Sequence, residues 1–194
     1  MKRDETYQKI LDACDPLFSE RGYAAVTLQD IGAAVNMRHA SLYYYAPKGK
    51  EQLYVAVMER NFKRHGEGLT NAVIAAGDDV RAQLHGIATW FASQPPMDLG
   101  RIVRSDMLDL ESSTRERLIA LSLDTLRVPI AAVIRNAARK GLFEGIEADF
   151  AAMGLVGLLQ SVHNVPSHFL PTQQALTDAA ISCADMLLYG WMKR

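Results

Sequence analysis

Between Thr27 and Pro47 the chain carries a helix start, a turn and a helix stop within twenty residues. Thr27 has the side chain of an N-cap, and Asp30 three residues on completes a capping-box-like pair. Leu28, Ile31 and Val35 then repeat at the spacing of one helical face. The pattern stops near Val35, and Asn36 follows, the non-glycine residue that best tolerates the left-handed region a sharp turn requires. A third helix is expected from about Arg38 to Tyr45. It must end before Pro47, whose ring disfavours helix at Ala46. Two short helices joined by three or four residues make a helix-turn-helix, with helix 1, residues 4 to 20, packed across them through Ile10, Leu11, Cys14, Leu17 and Phe18. Pro16 predicts a kink in that first helix.

The rest of the chain also reads as helix, because Ala, Leu, Met, Glu, Gln and Arg dominate its periodic segments and strand-like alternation is scarce. The fold class is all-α: an N-terminal three-helix unit over residues 1–49 and a helical unit over 50–194. Helices are expected from Lys50 to about His65, from an Asp78 cap to Ser93, and in a short piece over 98–110. Further helices are expected from a Ser113/Glu116 capping box to Lys140, over 147–163, and over 173–191.

Composition removes several functions. Net charge is −1, so no general polyanion binder is implied, yet residues 1–66 hold ten Lys and Arg against eight Asp and Glu. Cys14 and Cys183 stand far apart in apolar patterns with no metal-ligand spacing, as in a reduced cytoplasmic protein. The N-terminus lacks the apolar core of a signal peptide. Residues 150–177 carry no charge, but Gln160, His163, Asn164, Pro166, His168 and Pro171 break them too often for a membrane span. His163 and His168 lack helical ligand spacing, so neither metal nor cofactor is expected. No Ser-His-acid set or glycine-rich phosphate loop supports catalysis, and the chain is not read as an enzyme.

Three consecutive tyrosines, Tyr43, Tyr44 and Tyr45, fan across more than half of a helix circumference and cannot all face one core. A tyrosine hydroxyl on its rigid, half-apolar arm suits a contact between a protein core and a phosphate backbone. Lys50 and Thr27 each open a helix whose N-terminal amides also favour phosphate. Arg38 at the start of the third helix opposes the dipole at a cost of about 0.3–1 kcal/mol, a cost that reading DNA would offset. With His39, Ser41 and Tyr44 it fans toward the place where base edges would be read.

These residues carry a resemblance. The stretch "ILDACDPLFSERGYAAVTLQDIGAAVNMRHASLYYYAPKGKEQL" resembles the DNA-binding domain of TetR-type transcriptional repressors. Shared elements are Leu17-Phe18, Glu20, Gly22-Tyr23, Thr27-Leu28, Asp30-Ile31, Leu42-Tyr43 and the helix start at Lys50-Glu51 with Leu53. Asn36 stands where that family usually has glycine, and a glycine is inserted in "PKGK". The resemblance implies that Thr27, Tyr43, Tyr45 and Lys50 contact phosphates, while Arg38, His39, Ser41 and Tyr44 face the groove. It implies an effector cavity for a small, largely apolar molecule, with Trp90, Phe91, Met107, Met153, His163 and Phe169 as candidate lining residues and Met97 beside them. It also implies that the last two helices, rich in small side chains, pair with their copies in a homodimer through Ala151, Gly154, Leu155, Leu158, Ala180, Cys183, Leu187 and Trp191. A dimer suits a palindromic operator. The expected function is a homodimeric, ligand-released repressor. Its rivals are a helical small-molecule-binding protein and a DNA-binding scaffold without sequence-specific repression.

Overall fold

The computed structural model describes residues 2–96 and 99–192. It is all-α: α1 (Lys2–Ala25), α2 (Leu28–Ala34), α3 (His39–Leu42), α4 (Lys50–Ala75), α5 (Val80–Ser93), α6 (Leu99–Arg101), a π-helical turn (Ile102–Asp106), α7 (Ser112–Arg139), α8 (Ala148–Val162) and α9 (Gln173–Trp191). By contact the chain forms two compact units, Met1–Asn61 with Met97–Leu121 and Phe62–Pro96 with Ser122–Arg194. Met97 lies outside the described residues.

In the first unit Ile10, Cys14, Phe18, Ile31, Leu42, Leu53, Tyr54 and Val57 are buried together. The Cys14 thiol is pushed up to about 12 by that burial, with Arg60 opposing, so it is inert at neutral pH. The break in α1 falls at Gly22 (φ 79°), not at Pro16. Proline removes one hydrogen bond and leaves the helix to continue, whereas only glycine adopts φ and ψ of 79° and 169° freely. The π-helical turn secures this break. Buried Asp106 accepts from the Tyr23 amide at 3.2 Å, and Arg101 donates to the Phe18 and Ser19 carbonyls at 3.1 and 2.6 Å. These bonds satisfy the backbone groups freed where the helix stops.

In the second unit α9 packs most extensively on α5 and also on α8. Arg81 and His85 of α5 both reach Asp185 of α9, at 2.9 and 2.8 Å. Arg127 and Arg135 of α7 bind Asp149 in the first turn of α8. Helix α7 ends as its sequence predicts: Gly141 (φ 74°) follows it, and the Leu142 amide returns to the Ala137 carbonyl at 3.0 Å.

Candidate nucleic-acid interface

The turn between α2 and α3 is fixed from both sides. Thr27 caps α2: its hydroxyl accepts from the Asp30 amide at 3.2 Å, and its own amide donates to the Asp30 carboxylate at 2.8 Å. The Thr27 hydroxyl also donates to that carboxylate at 2.5 Å, and this bond first, then the one from the Thr27 amide, holds the Asp30 carboxyl below its ordinary range. Val35 ends α2, and Asn36 follows with a φ of 54°, the only non-glycine residue with positive φ among those described. Gly32 lets α3 approach closely, because a Cβ there would stand 2.6 Å from the Met37 carbonyl oxygen. Leu42 plugs α3 into the core.

Helix α3 is shorter than its sequence suggests. Only His39–Leu42 is α-helical, and residues 43–45 continue as a turn closed by the Tyr45 and Ala46 amides on the Leu42 carbonyl. Arg38 is the N-cap, extended (φ −65°, ψ 136°), with no side-chain cap bond. Arg38, His39 and Ser41 are exposed together on this segment.

The three tyrosines divide as their fan predicts. Tyr43 is half-exposed, its ring 3.6 Å from where a Cβ on Gly49 would lie, next to the start of α4. Tyr44 is the most open at 62%. Tyr45 is partly covered, its ring edge-on to that of Tyr44 at 5.1 Å, and it lines a small cleft with Arg3, Asp4, Tyr7 and Gln52.

Two groups behave in ways the sequence did not indicate. The Lys50 ammonium donates to the Tyr23 carbonyl at 2.8 Å and lies over the Tyr23 ring at 4.1 Å, and burial pulls its pKa down. In this conformation its charge ties α4 to the end of α1. Arg3 was missed altogether: its guanidinium donates to the Tyr44 carbonyl at 3.1 Å and covers the Tyr44 ring at 4.6 Å. The only signal was basic charge near the N-terminus, which does not name a partner across 41 residues. Arg3 thus covers an exposed tyrosine, and Arg38, His39 and Lys48 are exposed on the same segment of the chain. Such donors on a rigid platform suit phosphates and base edges.

Residues 10–57 match the family model of the bacterial regulatory proteins of the tetR family. This segment is a tetR-family domain. A curated relative, the HTH-type negative transcriptional regulator IcaR of the biofilm operon icaADBC of Staphylococcus epidermidis, is 46% identical over 54 residues. The chain spans only 29% of that relative's length, and the match covers 28% of this chain. Over the whole chain the likeness is one of fold. The fatty acid degradation regulator FadR of Bacillus halodurans matches with a TM-score of 0.73 at 19% identity, covering 97% of each chain. AibR, solved with isovaleryl coenzyme A and operator DNA, matches with a TM-score of 0.74 at 20% identity, covering 91% of this chain and 96% of AibR.

Of the effector candidates, Trp90, Phe91, Met153, His163 and Phe169 lie in the second unit and Met107 lies buried in the first. Phe91 is buried, and its carbonyl is 3.1 Å from the His163 ring nitrogen. Trp90, Met153 and His163 are partly covered, and Phe169 is exposed. Of the dimer candidates, Ala151, Leu155 and Ala180 are buried within the protomer, Leu158, Cys183, Leu187 and Trp191 are partly covered, and Gly154 is open. On the same two helices Phe150 is exposed at 80% and Met186 at 68%. Among the described residues no His/Cys/Asp/Glu group is placed to hold a metal, and no helix is long and apolar enough to cross a membrane.

Proposed function

We propose that this protein is a homodimeric transcriptional repressor that binds palindromic operator DNA and releases it on binding a small, largely apolar effector. The observation that carries this reading is the exposed Arg38–Tyr44 surface on a helix-turn-helix locked by the Thr27 cap, Gly32 and Asn36. Arg38, His39, Ser41 and Tyr44 read base edges, while Thr27, Tyr43, Tyr45 and the start of α4 at Lys50 meet phosphates. Residues 1–49 carry this reading function, and residues 50–194 carry effector binding and pairing. Repression is supported by the name of IcaR as a negative regulator, and an effector that meets operator DNA by the AibR complex. Helix α4 holds residues of both compact units and is the covalent path for the coupling. Because DNA and effector favour different conformations, each weakens the other by the same factor.

The test is fluorescence anisotropy with the DNA upstream of the protein's own gene against a shuffled duplex, at several salt concentrations. Preference for the upstream duplex with a steep salt slope supports the reading. Tyr43→Phe is expected to weaken both duplexes alike, and Arg38→Ala to reduce the preference between them. Equal weak binding to both, and no enrichment from a random-sequence library, would sink it. Lys50→Met separates two roles of one side chain: a salt slope smaller by about one unit marks a phosphate contact, whereas an unchanged slope with lower thermal stability marks the Tyr23 tie alone.

A further inference from the structure

The second unit contains a group of buried nitrogens that its own atoms leave unused. His65 of α4 is 2% exposed, and neither ring nitrogen has a hydrogen-bond partner. Its ring lies 6.3 Å from that of Trp90 and 5.8 Å from that of Phe91, both on α5. The Trp90 indole nitrogen is also buried without a partner. So is the Gln160 amide nitrogen, one helical turn before His163, whose ring meets the Phe91 carbonyl. His65 is thus in ring contact with Trp90 and Phe91, and Gln160 lies one helical turn from the residue that meets the Phe91 carbonyl, so three helices bring four unused nitrogens to this unit.

Buried polar groups are normally paired, and each one left unpaired costs about 1–3 kcal/mol. Several around one aromatic cluster is a cost that a packed core would remove by substituting leucine. The local sequence instead preserves the arrangement. Gly68, one turn below His65 on α4, is the place where the Trp90 indole lies against the helix, and any Cβ there would collide with that ring. Gly66 is likewise closed by Thr125, 2.5 Å from where its Cβ would stand.

The chemistry of the four nitrogens is one-sided. Indole offers only N–H, the Gln160 amide nitrogen offers N–H, and neutral imidazole offers one N–H and one acceptor. Burial, with the Arg64 charge beside it, depresses His65 to about 4, so the ring is neutral at physiological pH. Donors therefore outnumber acceptors, and a positive side chain stands next in sequence.

We propose that His65, Trp90 and Gln160 form the head-group site of the effector, and that the effector is an apolar molecule ending in a hydrogen-bond acceptor, a carbonyl or a carboxylate. This rests on the effector reading above and deepens it: the hydrocarbon part packs among the aliphatic and aromatic residues around Phe91, and the oxygen takes the unused N–H groups. A cationic head is disfavoured there, because a single imidazole nitrogen could accept from it while the other N–H groups and the Arg64 charge oppose it.

The experiment uses the full-length protein with three families of probe, each at four, eight and twelve carbons: carboxylates, methyl ketones and alkylammonium ions. Binding is read by thermal shift and by the imidazole 15N resonances, with His65 assigned from His65→Leu. Acceptor probes are expected to raise the melting temperature and to move the His65 resonances, while alkylammonium ions do neither. Carboxylates alone binding means the head is an anion; both acceptor families binding means a neutral carbonyl suffices. His65→Leu is expected to melt higher than wild type without probe, by at least about 2 °C, yet to bind the acceptor probe at least tenfold more weakly. His65→Gln, which keeps a donor, is expected to recover part of that affinity and guards against a folding defect. The proposal is overturned if no acceptor probe moves the His65 resonances, if His65→Leu binds as wild type, or if it melts lower, as an imidazole held by an internal water would. Operator binding is measured alongside. DNA binding that survives while the probes fail rejects the head-group assignment alone, and a protein that ignores DNA rejects the regulator reading itself.

Discussion

Asn36 shows how much one residue specifies here. Its backbone is left-handed at φ 54°, a region that costs an ordinary L-residue about 1–2 kcal/mol and glycine nothing. Asparagine lies between these, because its short amide bonds locally. Asn36→Gly is expected to leave stability unchanged or raise it by a few tenths of a kcal/mol, and Asn36→Ala to lower it by about 1 kcal/mol. Urea unfolding with a constant m-value checks both, and a stable Asn36→Ala would mean that the turn is not strained. His65 makes a second residue-scale prediction. Its pKa falls from an ordinary 6.5 to about 4 on folding, so between those values the unfolded chain holds a proton that the folded one refuses. Stability from this group is complete above pH 6.5 and falls as pH drops toward 4, by up to about 1.4 kcal/mol per pH unit. Carboxylates whose pKa is lowered by folding, such as Asp149 and Asp185, also lose stability on acidification, but below their ordinary range. The difference between wild type and His65→Leu from pH 7 to 4.5 therefore isolates the imidazole, and parallel curves would refute its burial in the neutral form.

At the scale of the element, the contact between α2 and α3 depends on Gly32. A Cβ 2.6 Å from the Met37 carbonyl cannot be relieved by rotating a side chain, because the obstacle is backbone. Gly32→Ala is expected to force the two helices apart, to cost about 1–3 kcal/mol, and to weaken operator binding at least tenfold while circular dichroism keeps its helical signal. Retained affinity would mean that the recognition surface tolerates a shift of α3. These same elements show what a sequence makes legible. The Thr27 cap, the stop at Val35, the Asn36 turn and the Gly141 stop are local chemistry, and each can be read from a few adjacent residues. Helix α4 is different. Its pattern weakens at His65 because Gly66 and Gly68 are poor helix formers, yet the helix runs to Ala75. Tertiary packing overrides propensity there, since both glycines are where α4 meets Thr125 and Trp90. The Ser113/Glu116 pair shows the reverse error: Ser113 lies within α7, which starts at Ser112, and its hydroxyl bonds Glu111 at 3.3 Å. The candidate interface was legible as a set of residue types. The partners of Lys50 and Arg3 were not, because each is fixed by a residue distant in sequence.

In the dimer proposed above, the decisive quantity is the distance between two recognition surfaces, and pairing would set it. Helices α8 and α9 supply a surface suited to that. Phe150, Met186 and Tyr189 are exposed at 80%, 68% and 58%, while Gly154, Gly157 and Gly190 have open space over their Cα atoms. Large apolar groups beside bare backbone allow two copies to approach closely and bury a continuous area. Ala151, Leu155 and Ala180 are buried inside the protomer, so in a dimer they support the interface from beneath while Gly154, Leu158, Cys183 and Leu187 meet the partner. Met186→Glu places a charge on this surface, and in a dimer two such charges near a symmetry axis repel each other. The expected outcome is a monomer by sedimentation at concentrations where wild type is dimeric. Because joining two half-site contacts raises effective affinity by about 10²–10⁴, the variant should lose most of its affinity for a palindrome while its weak affinity for an isolated half-site is unchanged. The comparison of the two duplexes separates pairing from reading. Equal losses on both would place the effect in the DNA-binding unit, and an unchanged mass would move the dimer surface away from Met186.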